Sequence, residues 1–151
     1  MSRTLTRLLI AAAIVVVAIQ FVPVERSNPT ADPALQVEAP ARTLLRHACY
    51  DCHSQQTVWP WYSRVAPISW LVAHDVHAAR RIINFTLWQQ YSARKKSFAS
   101  IKALEEIEEG GMPPLQYRWI HRDARVPADA LPRLRAWADS LHQADTGPAR
   151  P

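Results

Sequence analysis

Cysteine is scarce in this chain of 151 residues, since only Cys49 and Cys52 are present. A structural zinc site usually takes four Cys or His ligands in two spaced pairs. The chain has no second C-x-x-C, and His74 and His77 are too close together for an H-x₃₋₅-H pair and far from the cysteines. No β-α-β pattern surrounds the cysteines, so the sequence does not favour a thioredoxin-type motif either.

Long runs of charge and of alternating polarity are also missing. Lys and Arg total 18 against 13 Asp and Glu, which gives a net charge of +5 without a basic cluster. We therefore do not expect nucleic-acid binding. No segment alternates apolar and polar residues as a half-buried strand does. The length allows one domain, and we expect that domain to be helical.

The two cysteines belong to the pentapeptide Cys-Tyr-Asp-Cys-His at residues 49–53. A C-x-x-C-H sequence is the attachment signature of a c-type haem. Two thiols on one helical turn can each add to a vinyl group on one edge of the porphyrin. His53 then lies where it can offer an imidazole nitrogen to the iron. We expect one covalent haem c, with a disulfide between Cys49 and Cys52 as the alternative.

Met112 is the candidate for the second axial ligand of the iron. It lies in a Gly-Gly-Met-Pro-Pro loop, 59 residues downstream of His53. That order resembles class I c-type cytochromes, in which a loop methionine binds the iron opposite the histidine. A thioether ligand raises the reduction potential. His121 as the ligand, an open sixth position, and Met112 as an ordinary core residue are the alternatives.

Residues 54–63 combine two tryptophans with a proline and a tyrosine. This composition is typical of a loop that folds over a large flat group. We expect Trp59 and Trp61 to line the crevice that holds the haem. Ordinary core aromatics are the alternative, and the sequence does not separate the two, because a haem would itself form the core.

The amino-terminal region predicts a membrane segment or a signal peptide. Residues 8–22 are apolar except for Gln20, and Arg3 and Arg7 precede them. At ~1.5 Å per residue the run approaches the thickness of a bilayer core. No small-x-small pair ends it, which favours retention over cleavage. The arginines place the amino terminus in the cytoplasm, so the domain would face the periplasm from the inner membrane.

The remaining pattern divides the chain into an anchor at 1–24, a linker or surface arm at 25–40, a haem-binding domain at 41–145 and a flexible tail at 146–151. Apolar spacing predicts a helix before the cysteines, a second over 67–82 and a short one near Trp88. Further helices are predicted over 97–109, where Gly110 and Gly111 end the helix, and over 128–142.

The sequence also resembles a bacterial family, the small membrane-anchored haem-binding domain proteins. The matching stretches are FVPVERSNP at 21–29, the long stretch 49–88 that begins CYDCHSQQTVWPWYS, and GGMPPLQYRWIHRDA at 110–124. The resemblance implies one covalent haem held by Cys49 and Cys52, with His53 as axial ligand, on an amino-terminal anchor. The expected fold is all-α, a cytochrome c-like domain wrapped around that haem. The resemblance implies no particular reaction.

Single-electron transfer on the periplasmic side is the leading hypothesis for function. It needs a six-coordinate haem with an exposed edge, and its partners would be periplasmic or membrane redox proteins. A peroxidase-like enzyme or a sensor of a small gas would instead need an open sixth position. No spacing in the sequence supports a distal acid–base group, and no output domain is recognisable. We therefore favour an electron-transfer protein over an enzyme.

Overall fold

The computed structural model describes residues 2–29 and 39–147. Within these ranges the secondary structure is helical and contains no strand, so the predicted all-α class is confirmed. The α-helices of this part of the chain are Arg3–Ala18 (α1), Ala39–Ala48 (α2), Tyr50–His53 (α3), Ile68–Ile82 (α4), Ala93–Glu108 (α5), Leu115–Ile120 (α6) and Leu131–Thr146 (α7). Most of the predicted linker and tail, residues 30–38 and 148–151, lies outside the described residues.

Short 3₁₀ turns connect these helices. They cover Ile19–Phe21, Trp61–Arg64, Phe85–Gln90, Arg122–Ala124 and Ala128–Ala130. The turn at Phe85–Gln90 corresponds to the short helical stretch predicted near Trp88. Its first residues are fixed by Asn84, whose side-chain oxygen accepts a hydrogen bond from the amide of Thr86 at 3.1 Å.

The amino-terminal helix is apolar and none of its residues is buried by the domain. Ser2 caps it, since its hydroxyl accepts a hydrogen bond from the amide of Leu5 at 3.3 Å. In the described part of the chain, Arg3–Phe21 is the one helical run that is long and apolar enough to cross a membrane. A signal sequence can have the same length and composition.

Helix α4 follows its prediction closely, because Pro67 precedes it and its last helical residue is Ile82. The apolar stripe of α4 is only partly covered, however. Ala73 and Val76 are buried, whereas Ile68 and Leu71 are 49% and 53% exposed. The first turn of α4 therefore presents apolar side chains that the domain itself does not use.

Helices α5 and α7 pack against each other and form the largest interhelical contact among the described residues. Helix α5 begins four residues before its predicted start, because Ser92 caps it by accepting a hydrogen bond from the amide of Lys95 at 3.3 Å. Gly110 follows α5 with a φ of 77°, a left-handed conformation that favours glycine. Helix α6 was not predicted, because six residues are too few to show a helical period.

An aromatic column forms the centre of the core and connects the cysteine motif to α7. The ring of Tyr50, between the two cysteines, stacks on Phe85 with 5.5 Å between centroids. Phe85 contacts Trp88 at 5.6 Å, and Trp88 stacks on Trp137 of α7 at 5.5 Å. The motif is therefore packed against the aromatic core of the domain.

The segment that follows α1 is bound along the domain. The side chain of Gln20 accepts a hydrogen bond from the amide of Ala66 at 2.9 Å and donates one to the carbonyl of the same residue at 3.2 Å. Arg26 donates to the carbonyl of Ser63 at 3.0 Å. The end of the apolar helix is thereby attached to the turn that precedes α4.

Candidate functional site

The cysteine motif forms one tight helical turn. The amides of Cys52 and His53 both donate to the carbonyl of Cys49, at 3.2 and 2.8 Å. Cys49 immediately precedes α3, and both cysteines are partly buried and free. The two thiols and the imidazole therefore belong to the same five-residue unit, as the spacing predicts.

Both thiols have raised pKa values. Burial raises the pKa of Cys49 to about 12. Burial, and then the nearby charge of Asp51, raise the pKa of Cys52 to about 11. The attacking cysteine of a thiol–disulfide oxidoreductase instead has a lowered pKa, because the thiolate is its nucleophile. The electrostatics of the turn thus disfavour the thioredoxin-type alternative.

His53 is oriented by the chain that follows α4. Its Nδ1 lies 3.1 Å from the carbonyl oxygen of Ile83, which can only accept a hydrogen bond, so Nδ1 carries the proton. Burial lowers the pKa of His53, which favours the neutral ring. A metal-ligating histidine almost always donates its second nitrogen to such an acceptor. The lone pair of Nε2 is therefore available to a metal.

Arg80 holds the loop that follows the motif. Its guanidinium donates to the carbonyl of Ser54 at 2.8 Å and to the hydroxyl of Thr57 at 2.9 Å. It also donates to the carbonyl of Ser27 at 2.9 Å and to the side chain of Asn28 at 2.8 Å. One side chain of α4 therefore fixes both this loop and the segment after α1. No local sequence signal indicates this role, because an arginine on a helix is usually solvated.

Trp59 has a buried donor with no partner. In the described ranges, its indole Nε1 is one of two buried side-chain polar atoms without a hydrogen bond, the other being Nε of Arg118. Such unpaired groups are rare in folded proteins. The guanidinium of Arg80 lies 6.0 Å from the centroid of the Trp59 ring. An acidic group of a ligand would therefore find an N–H donor and a nearby positive charge here.

Trp61 has different surroundings from Trp59. Its side chain is 77% exposed, and its ring contacts the edge of Tyr62 with 5.9 Å between centroids. The backbone is extended at Pro60 and enters a 3₁₀ turn at Trp61. Two tryptophans that the sequence treats alike thus have different surroundings.

Met112 lies in the loop between α5 and α6. Its amide donates to the carbonyl of Glu106 at 3.0 Å, and its side chain is 39% exposed. The loop is tied to the cysteine motif through α6, because the hydroxyl of Tyr117 donates to Oδ2 of Asp51 at 2.7 Å. The other carboxylate oxygen of Asp51 accepts from the amide of Val58 at 3.1 Å. Asp51 therefore joins the motif, the following loop and the methionine loop.

His121 is already engaged by two tyrosines. Its Nε2 lies 2.7 Å from the hydroxyl of Tyr62, and its ring stacks on Tyr117 at 4.2 Å. Burial raises the pKa of both tyrosines, and the hydrogen bond to Asp51 raises that of Tyr117 further. Both phenols therefore stay protonated at neutral pH. Sequence reasoning missed these tyrosines, because the contacts join residues 59 and 66 positions apart.

Comparison with known proteins identifies the family of the chain. A family model described as a haem-binding domain matches residues 14–140, which is most of the chain. The chain belongs to the haem-binding domain family. No curated protein and no solved structure matches it. Haem is therefore the cofactor that the candidate site has to accommodate.

The residues of this haem-binding domain fit such a cofactor. His53 offers a neutral imidazole whose other nitrogen is already fixed, which suits an axial position on iron. Cys49 and Cys52 offer two thiols one turn apart beside it. Trp59 offers an unpaired donor for a carboxylate. These side chains would fit a haem that takes an imidazole as an axial ligand.

The hydrogen bond between Tyr117 and Asp51 should stabilise the whole site. We expect Tyr117→Phe to lower the free energy of unfolding by about 1.5–3 kcal/mol, the range for hydrogen bonds to charged groups. Urea unfolding of the full chain in detergent measures it. A double-mutant cycle with Asp51→Ala isolates the pairwise energy. The matched control is Tyr91→Phe, because the hydroxyl of Tyr91 accepts a hydrogen bond from the amide of Asn84 and does not contact Asp51 in the described hydrogen bonds. If the coupling energy with Asp51 were the same for Tyr117 and Tyr91, the stabilising role of the hydrogen bond between Tyr117 and Asp51 would be contradicted.

Proposed function

We propose that this haem-binding domain carries one haem c, attached through Cys49 and Cys52, and transfers single electrons. The observation that carries the proposal is the contact between Nδ1 of His53 and the carbonyl of Ile83 at 3.1 Å. It leaves Nε2 of His53 available as a ligand, and His53 directly follows Cys52 in the C-x-x-C-H unit. A ligand held in one orientation before binding keeps the reorganisation on electron transfer small.

We propose Met112 as the second axial ligand. When bound, the haem supplies a one-electron couple whose potential a thioether raises. The chain supplies a loop that is fixed at one end by the turn at Gly110 and at the other by Tyr117. The rival ligand His121 has its Nε2 engaged by Tyr62 at 2.7 Å. This contact favours the methionine over the histidine.

We also propose that the protein is held in the inner membrane. The apolar run Arg3–Phe21 would anchor the protein in the inner membrane as a single span. Arg3 and Arg7 precede the run, which favours a cytoplasmic amino terminus. The domain would then lie in the periplasm and exchange electrons with periplasmic or membrane redox proteins. C-type haem attachment on the outer side of that membrane is consistent with this orientation.

Covalent attachment can be tested directly. We expect the protein, produced in cells with c-type haem maturation, to keep its haem through extraction with acidified acetone. Cys49→Ala or Cys52→Ala alone should leave one thioether bond, which shifts the α-band of the pyridine haemochrome. The double variant should release all of its haem. Release of haem from the unaltered protein would contradict covalent attachment while leaving haem binding intact.

The visible spectrum tests the axial ligands. We expect a low-spin ferric spectrum with the weak far-red band of a sulfur-to-iron bond. Met112→Ala should abolish that band and lower the reduction potential, because a soft ligand for ferrous iron is lost. His121→Gln is the matched control and should keep the band. A high-spin spectrum that shifts with cyanide or peroxide would instead support an enzyme or a sensor with an open site.

Trp59 is proposed to donate its unpaired N–H to a carboxylate of the haem. A hydrogen bond to the charged form lowers the pKa of a carboxyl group. We therefore expect Trp59→Phe to raise that pKa and to move the pH dependence of the reduction potential to higher pH. Potentiometric titration over a range of pH measures the shift. Trp61→Phe is the control, since Trp61 is exposed, and an equal shift in both variants would contradict the role of Trp59.

A further inference from the structure

An apolar surface lies beside the end of the amino-terminal helix. We name it the interfacial surface and define it by exposed side chains of the turn before α4 and of its first helical turn: Trp61, Arg64, Val65, Ile68 and Leu71. Four of the five are apolar, and residues 61–71 contain no acidic side chain. The domain does not bury this surface, although the same helix buries Ala73 and Val76.

The interfacial surface is attached to the last turn of the apolar helix. Gln20, at the end of the run Arg3–Phe21, makes two hydrogen bonds with the backbone of Ala66, which lies between Val65 and Ile68. Arg26 makes a second attachment at Ser63. If the helix spans a bilayer, these contacts place the surface at the level where the helix leaves the hydrocarbon.

The composition of the surface suits that level. Tryptophan is enriched where hydrocarbon meets headgroups, because one end of its ring is apolar and the other carries an N–H. The exposed Arg64 would lie among the headgroups, where anionic lipids attract a positive charge. Continuity with the proposed membrane span distinguishes this surface from the other exposed apolar residues, such as Phe98 on α5 and Trp119 on α6.

We propose that the interfacial surface lies in the headgroup region of the same bilayer that α1 crosses. The domain is then seated on the membrane in one orientation rather than suspended from a tether. This inference rests on the membrane anchoring in the proposed function. Its occupant is the lipid surface, and a second copy of the chain or a redox partner is an alternative outcome of the test.

Site-directed spin labelling of the full-length protein with its haem tests whether the interfacial surface contacts lipid. A nitroxide is attached to Ile68→Cys or Leu71→Cys in vesicles of phosphatidylethanolamine and phosphatidylglycerol. We expect the ratio of oxygen collisions to collisions with a neutral nickel chelate to be several-fold higher at both positions than at the controls Phe98→Cys and Trp119→Cys, because oxygen concentrates in lipid and the chelate in water. The controls should show the low ratio of a label in water.

The outcomes separate the seat from the anchor. If the protein floats with the vesicles but labels at 68 and 71 collide with the nickel chelate as often as the controls do, the lipid contact of the interfacial surface is wrong. Membrane anchoring by α1 is then still supported. If the protein does not float, both are wrong. Labels shielded from both reagents would indicate a protein occupant and overturn the lipid seat.

Discussion

The hydrogen bond between Nδ1 of His53 and the carbonyl of Ile83 is the constraint on which the candidate site depends. It requires α4 to end at Ile82, since only a carbonyl released from the helix can face the imidazole. The next residue, Asn84, continues in an extended conformation, and its amide donates to the hydroxyl of Tyr91 at 3.0 Å. The end of one helix therefore decides which nitrogen of His53 is free. The axial role proposed for His53 depends on that choice.

The local features of the protein could be predicted from the sequence. The C-x-x-C-H unit is contained in five residues, and α4 and α7 show apolar periods along their own length. The contacts that close the site could not be predicted in this way. Tyr117 meets Asp51, and Tyr62 meets His121, only after the chain has folded, and no periodicity connects positions so far apart. Sequence thus indicates the chemistry of the site, while tertiary contacts decide which side chains remain available.

The two tryptophans of the loop show the same limit. A large ring with one N–H is suited equally to a haem crevice and to a lipid interface. Composition therefore cannot assign Trp59 and Trp61 to different surroundings. The structure separates them by a change of backbone, since the extended chain at Pro60 gives way to a 3₁₀ turn at Trp61. One ring has a buried N–H near Arg80, whereas the other is exposed in the turn that precedes α4.

Arg80 connects the loop after the cysteine motif with the segment after α1. It donates to Ser54 and Thr57 in the loop after the motif and to Ser27 and Asn28 in the segment after α1. If Arg3–Phe21 anchors the protein as proposed, tilting the domain on that helix would strain the hydrogen bonds of Arg80 with Ser27 and Asn28. A tether with independent motion would instead leave such a loop undisturbed. In the arrangement that we propose, Arg80 binds both the segment after the membrane helix and the loop after the cysteine motif. A domain held against the membrane in this way would present its haem to a redox partner from one fixed direction.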